Sequence, residues 1–89
     1  MPLVEIPPAM QKLTGNQAAV EVAAGTLIEA LTQIDKKFPG ILEKIVYENK
    51  VRRYVSIFVD EEDVKFGQGL QTQLTSANRI SILIAIAGG

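Results

Sequence analysis

An α+β fold, a sheet with one helix on its face, is predicted by three features of this 89-residue sequence. Two short strand-like runs open it, one capped amphipathic stretch follows, and a run with isoleucine at every second position comes near its end. Consecutive strands before a single long helix suggest a sheet covered on one side.

The elements follow in order. Leu3-Val4-Glu5-Ile6 reads as a short strand, stopped by Pro7-Pro8, which cannot donate to a ladder. Thr14-Gly15-Asn16 is a turn signal. Ala18, Val20 and Val22 then alternate with Gln17, Ala19 and Glu21, the period-two pattern of a half-buried strand that pairs with the first as a hairpin. Thr26 and Glu29 form a capping-box pair, with the Thr26 side chain accepting from the Glu29 amide and Glu29 reaching back to the Thr26 amide. Leu27, Ala30, Leu31, Ile34 and Phe38 recur on one helical face, and Pro39-Gly40 ends the helix. Ile41 to Val46 suits a short second helical turn. Tyr54 to Val59 is a β-rich run followed by the acidic stretch Asp60 to Asp63, read as an exposed polar turn. Val64-Lys65-Phe66 reads as a short strand and Gly67 to Leu70 as a turn or one 3₁₀ turn. Arg79 to Ile86, with Ile80, Ile82, Ile84 and Ile86 on one face, fits a central strand.

Composition excludes several functions. Hydrophobic residues make up 47% and charged residues 21%, ordinary for a globular protein, and the net charge of −1 offers no basic excess for phosphates. No nucleic-acid partner is therefore expected. Met1 to Ala9 lacks a basic region followed by an apolar core, so no signal peptide is expected, and no apolar run approaches the ~20 residues of a membrane span. With no Cys and no His, the usual nucleophile, general base and soft-metal ligands are missing. A cytoplasmic protein without a metal site or a bound cofactor is the expectation.

What remains is the ending Ala87-Gly88-Gly89. Glycine is about 7% of average composition, so a closing pair arises by chance in roughly 0.5% of chains. Its context has to carry the argument. If the chain takes part in a reaction, its own terminal carboxyl group is the best candidate for the reacting atoms.

The context is a likeness. Phe58-Val59-Asp60-Glu61-Glu62-Asp63-Val64-Lys65-Phe66 with Gly69-Leu70-Gln71-Thr72-Gln73-Leu74, and the ending Ile80 to Gly89, resemble two blocks of the ubiquitin-like sulfur carriers, the MoaD/ThiS/CysO group. Three departures stand out. Asp60 occupies a place where the family often has Asn, Ser76-Ala77-Asn78-Arg79 replaces an acidic turn, and Ile84 replaces a common Pro. The resemblance implies a β-grasp domain over residues 1–89, a mixed sheet of four to five strands packed on one main helix, with 85–89 as a flexible reactive tail. It further implies that Gly88 and Gly89 form the reactive terminus, carried on Ala85, Ile86 and Ala87. An E1-like adenylyltransferase/sulfurtransferase, using its own ATP and Mg²⁺, would activate the carboxylate and leave a thiocarboxylate for a downstream sulfur-accepting synthase. The protein would be a co-substrate and not an enzyme, a monomer when free. The ending and the block at Phe58 to Leu74 lean toward the molybdopterin or cysteine pathway over thiamin.

A partner needs a docking face. If Ile80, Ile82 and Ile84 point to the helix, Leu83 and Ala85 point away, and the same alternation turns Tyr54 and Phe58 outward. Phe58 and Leu83 then make an exposed apolar patch near the root of the tail, with Arg52, Arg53 and Arg79 at its rim; the alternatives are that a second layer or a dimer partner covers it, or that the strand phase is shifted by one residue. Two other functions stay open. One is a covalent modifier forming isopeptide bonds through the same terminus, the other a noncovalent β-grasp interaction module.

Overall fold

The computed structural model describes residues 1–84. Strand β1 (Leu3–Glu5) stops at Pro7-Pro8 as expected, and the segment Pro8–Thr14 winds into a 3₁₀ helix where the sequence offered only a loop. Met10 and Thr14 of that segment are buried, and the Thr14 hydroxyl donates to the Gln11 and Gln17 carbonyls, so the long connection is itself packed. Strand β2 (Ala19–Glu21) returns antiparallel to β1 with Val4 opposite Val20.

Helix α1 (Leu27–Lys37) starts where the capping pair places it. The Glu29 amide donates to Thr26 Oγ1 at 3.3 Å, and Thr26 Oγ1 donates back to the Glu29 carboxylate at 3.0 Å. The reciprocal bond thus uses the Thr26 hydroxyl in place of the expected Thr26 amide. Leu27, Ala30, Leu31 and Ile34 are buried against the sheet, so the 3.6-residue stripe is the core face. Helix α2 (Ile41–Ile45) follows at once, and Asp35 Oδ1 accepts from the Gly40 and Leu42 amides at 3.0 and 3.1 Å, joining the end of one helix to the start of the next.

Two hairpins come next. Strands β3 (Val46–Tyr47) and β4 (Lys50–Val51) form a separate two-stranded ribbon that the sequence reading lacked. Strand β5 (Val55–Val59) pairs with β6 (Glu62–Asp63) and with the last described strand, β7 (Arg79–Ile84). Tyr54 sits in the turn before β5 and not within it, and Val64–Phe66 is a 3₁₀ turn, the short strand falling two residues earlier. The Asp63 carboxylate explains that difference, because it accepts from the Lys65 amide at 2.9 Å and caps a turn where a strand would need its backbone free. Gly69–Gln71 forms the expected 3₁₀ turn.

The main sheet runs β2-β1-β7-β5-β6, parallel between β1 and β7 and antiparallel elsewhere, a mixed sheet of five strands with α1 on one face. Val4, Val55, Ile57, Ile80 and Ile82 point from the sheet into one cluster with Leu27, Leu31 and Ile34. This is the β-grasp arrangement that the resemblance implies.

Both two-residue hairpin loops carry positive φ at their central positions: +50° and +64° at Glu48 and Asn49, +50° and +82° at Asp60 and Glu61. Primed turns require that conformation, and a side chain such as glutamate resists it by about 1–2 kcal/mol. Glu61→Gly should therefore stabilise the protein by about 1 kcal/mol after the added freedom of the unfolded chain is counted. Urea denaturation showing a loss of stability would contradict that turn geometry.

Candidate functional site

The site is built on β7, the central strand of the sheet. Its alternating sequence puts Ile80 (0% exposed) and Ile82 (2%) into the core and leaves Leu83 (54%) on the open face. Strand β1 accompanies β7 only along Arg79–Ser81, since Pro7-Pro8 ends the ladder. From Ile82 onward β5 alone holds the strand in register, with Ile57 opposite Ile82 and Val55 opposite Ile84. The last described residue, Ile84, thus belongs to a strand anchored through the core on one face and held along one edge. The expected tail Ala85, Ile86 and Ala87 and the expected reactive pair Gly88 and Gly89 lie outside the described residues.

The four residues expected at the partner face are not gathered in one patch. Leu83 is exposed next to the end of β7, opposite Ser56, and Tyr54, also exposed, immediately precedes Val55. These two flank the last described pair, Val55 with Ile84. Phe58 lies opposite Ser81 and Asp63, one diagonal step from Leu83, and is half-buried. Arg79 stands at the other end of β7, about 16 Å from Ile84 at the usual rise per strand residue. Its Nε lies 3.9 Å from Glu5 Oε1, which also accepts from the Ser81 hydroxyl at 2.9 Å. The open face is therefore mixed. Leu83 and Phe58 alternate with Ser56 and Ser81, and the cation expected at the tail root is drawn to an acid of β1 at the far end.

Around the tail root the sequence reading missed the β3–β4 ribbon. Arg52 Nε donates to the Glu43 carbonyl at 2.8 Å and its guanidinium lies 5.1 Å from the centre of the exposed Tyr47 ring. Arg52 is thus held against the ribbon, while Arg53 stays exposed. The signal that would have found the ribbon is Glu48-Asn49 between Tyr47 and Lys50, a two-residue loop containing an Asn suited to positive φ.

At the far end, Asp60 Oδ1 accepts from the Arg79 amide at 2.9 Å and Oδ2 accepts from the Asn78 side-chain amide. Asn78 Oδ1 in turn accepts from the Thr75 amide at 2.6 Å. One acid and one amide side chain fix the start of β7, and through it the register that carries the strand to Ile84. Among the described residues no three metal-ligating side chains come together.

Comparison with known proteins gives this strand end its setting. The model of the ThiS family matches residues 4–89, which includes the diglycine. The sulfur carrier protein CysO of Mycobacterium tuberculosis is 34% identical over 89 residues, covering 97% of this chain and 96% of its own. A chain in the crystal structure of the Amycolatopsis orientalis BexX/CysO complex superposes with a TM-score of 0.95 at 31% identity, covering 100% of both chains. The solution structure of small archaeal modifier protein 1 from Methanosarcina acetivorans, at 18% identity and a TM-score of 0.84 with 99% and 95% covered, shares the fold. A β-grasp sheet whose central strand leads toward two glycines, matched by the family model across nearly its whole length, makes this chain a member of the ThiS family.

Proposed function

We propose that this protein is a sulfur carrier of the cysteine-biosynthesis type, a co-substrate whose Gly89 carboxylate is activated and loaded by other proteins. The observation that carries the reading is the match to CysO sulfur carriers over 97% of the chain, beside a family model that spans both β7 and the terminal glycines. A carboxylate at neutral pH is a poor electrophile. Attack of its oxygen on the α-phosphorus of ATP, in an E1-like partner, would form an acyl-adenylate and release pyrophosphate. A persulfide sulfur would then attack the acyl carbon and displace AMP, and thiol reduction of the resulting S–S bond would leave the thiocarboxylate. A chain without cysteine has no internal thiol to divert that sulfur into a mixed disulfide.

The fold's part in this scheme is to hold the body outside the partner while the terminus goes in. Five residues beyond Ile84 reach about 17 Å when extended. Intact-mass measurement of the protein from its native cell tests the proposal. A mass raised by the exchange of sulfur for oxygen at Gly89 is expected. Lysine-linked conjugates without that species would assign the covalent-modifier function, and an invariably unmodified terminus would leave a noncovalent module.

Leu83 and Tyr54 are the docking residues this scheme favours, with Phe58 at their margin. Leu83→Asp should weaken binding to the activating partner by about tenfold or more, as loss of a central apolar contact does. Because Leu83 is exposed and faces Ser56, the melting temperature should barely move. Phe58→Asp is a poorer probe, since it sets two carboxylates opposite one another at Asp63. Partner affinity unchanged in Leu83→Asp, read by calorimetry, would remove the open face from the interface.

A further inference from the structure

The chain is nearly neutral, yet it sorts its charges around one segment. Two clefts lie on either side of Val64–Gln68 and share those two residues as a wall. One, of about 570 Å³, is lined by Asp60, Glu62 and Asp63 and by no cation. The other, of about 600 Å³, is lined by Lys50, Arg53 and Lys65 and by no acid. Those three cations come from three separate places: β4, the turn before β5, and the 3₁₀ turn after β6. All three are exposed, and among the described residues the one ion pair is Arg79 with Glu5, far from this cleft. Val51, Val64 and Leu70 give the cleft an apolar floor.

We propose that this basic groove receives an acidic, partly apolar segment of a partner protein. Like charges gathered along one groove raise one another's energy; among the described residues Asp60, Glu62 and Asp63 face the neighbouring cleft, and Glu48 lines a smaller cleft beside Lys50 and Arg53 without forming an ion pair with either. Carboxylates from outside relieve that repulsion, and apolar side chains between them cover the floor. A compact oxyanion fits less well, because it needs convergent, buried donors and these cations sit at the ends of long, exposed side chains. A nucleic acid fits less well again. Three cations release few counterions, and the groove has no aromatic ring on which a base stacks. The position matters too. Arg53 lies two residues before Val55, the partner of Ile84, so the segment would be held at the end of the sheet that carries Ile84, five residues before the terminus. Complementary charge there speeds encounter and fixes orientation. This inference deepens the carrier reading by giving the partner's chemistry, and its test uses the unmodified full chain, so its failure would leave the thiocarboxylate reading standing.

The test is fluorescence anisotropy at low ionic strength with a labelled short peptide rich in Glu and Asp and interspersed with Leu. The wild-type chain should bind it, and added salt should weaken the binding. Lys50→Glu, Arg53→Glu and Lys65→Glu together should reduce affinity at least about tenfold, or ~1.4 kcal/mol. Lys12→Glu, Lys36→Glu and Lys37→Glu together change net charge equally at exposed sites outside the groove and should leave the affinity within about twofold. If the groove triple variant fails to fold by circular dichroism, the Gln replacements at the same three positions give the same comparison. Equal losses in both triple variants would reduce the effect to bulk charge and overturn the proposal. So would absence of binding by the wild type, or displacement of the peptide by pyrophosphate or a single-stranded oligonucleotide at the same concentration.

Discussion

Under the proposed carrier function, replacing Gly89 by alanine is expected to leave the melting temperature unchanged and to cut adenylation by the activating partner by roughly 100-fold. The first half follows from where the core is. The residues of β7 that fill it are Ile80 and Ile82, and the strand's last described pairing is Ile84 with Val55. The second half follows from what glycine permits. Without a Cβ, the carbonyl that reacts can be enclosed by a second protein's backbone, and φ on either side of zero is open to it. An added methyl restricts φ and pushes the reacting carbon away from its ideal line of attack, and a displacement of about 1 Å costs on the order of 10²-fold in rate. Pyrophosphate release with ATP and the cognate enzyme is the measurement. Normal release from Gly89→Ala would show that the terminus is not tightly enclosed, while a lowered melting temperature would mean that the tail contributes to the fold.

Alternation and capping made the scaffold legible in the sequence. The Thr26–Glu29 pair marked the helix start, and the isoleucines of β7 marked the core face, because both signals are local and one kind of residue dominates each. The misses came where side chains compete with backbone over a few residues. Asp63 caps a 3₁₀ turn and so displaces the expected strand at Val64–Phe66, and the β3–β4 ribbon is only two residues long on each side. Two apparent departures from the family pattern turn out to be one. Asp60 replaces a frequent Asn, and Asn78 stands in a turn that is usually acidic; the structure joins them by a hydrogen bond, with the carboxylate accepting and the amide donating. The carboxylate and the amide satisfy one another across the two turns. No single-position comparison reveals that, because the partners are eighteen residues apart. The site was legible as a strand but not as a surface, since the strand pattern gives the face of Arg79 and not the Glu5 of β1 that lies beside it.

Ile82 and Leu83 provide the sharpest test of that strand, because they are adjacent in sequence and opposite in environment. Ile82 is 2% exposed, lies opposite Ile57 and belongs to the central cluster; Leu83 is 54% exposed and lies opposite Ser56. Truncating Ile82 to alanine removes buried methyl and methylene groups from a site walled by α1 and the neighbouring strands, which can close over the gap only in part. The expected cost is about 2–5 kcal/mol. For a chain of this size the whole stability is on the order of 5–15 kcal/mol, and each kcal/mol corresponds to about 4–8 °C. Ile82→Ala should therefore melt at least ~10 °C below wild type, with correspondingly lower urea resistance. Leu83→Ala removes a comparable side chain that water already reaches, and its cost should stay within about 0.5 kcal/mol. If the two truncations cost the same, a second layer covers the open face in solution; if Leu83→Ala costs more, the sheet faces the helix in the opposite phase. If they differ as expected, Leu83 is free to meet a partner beside the last described residue of β7.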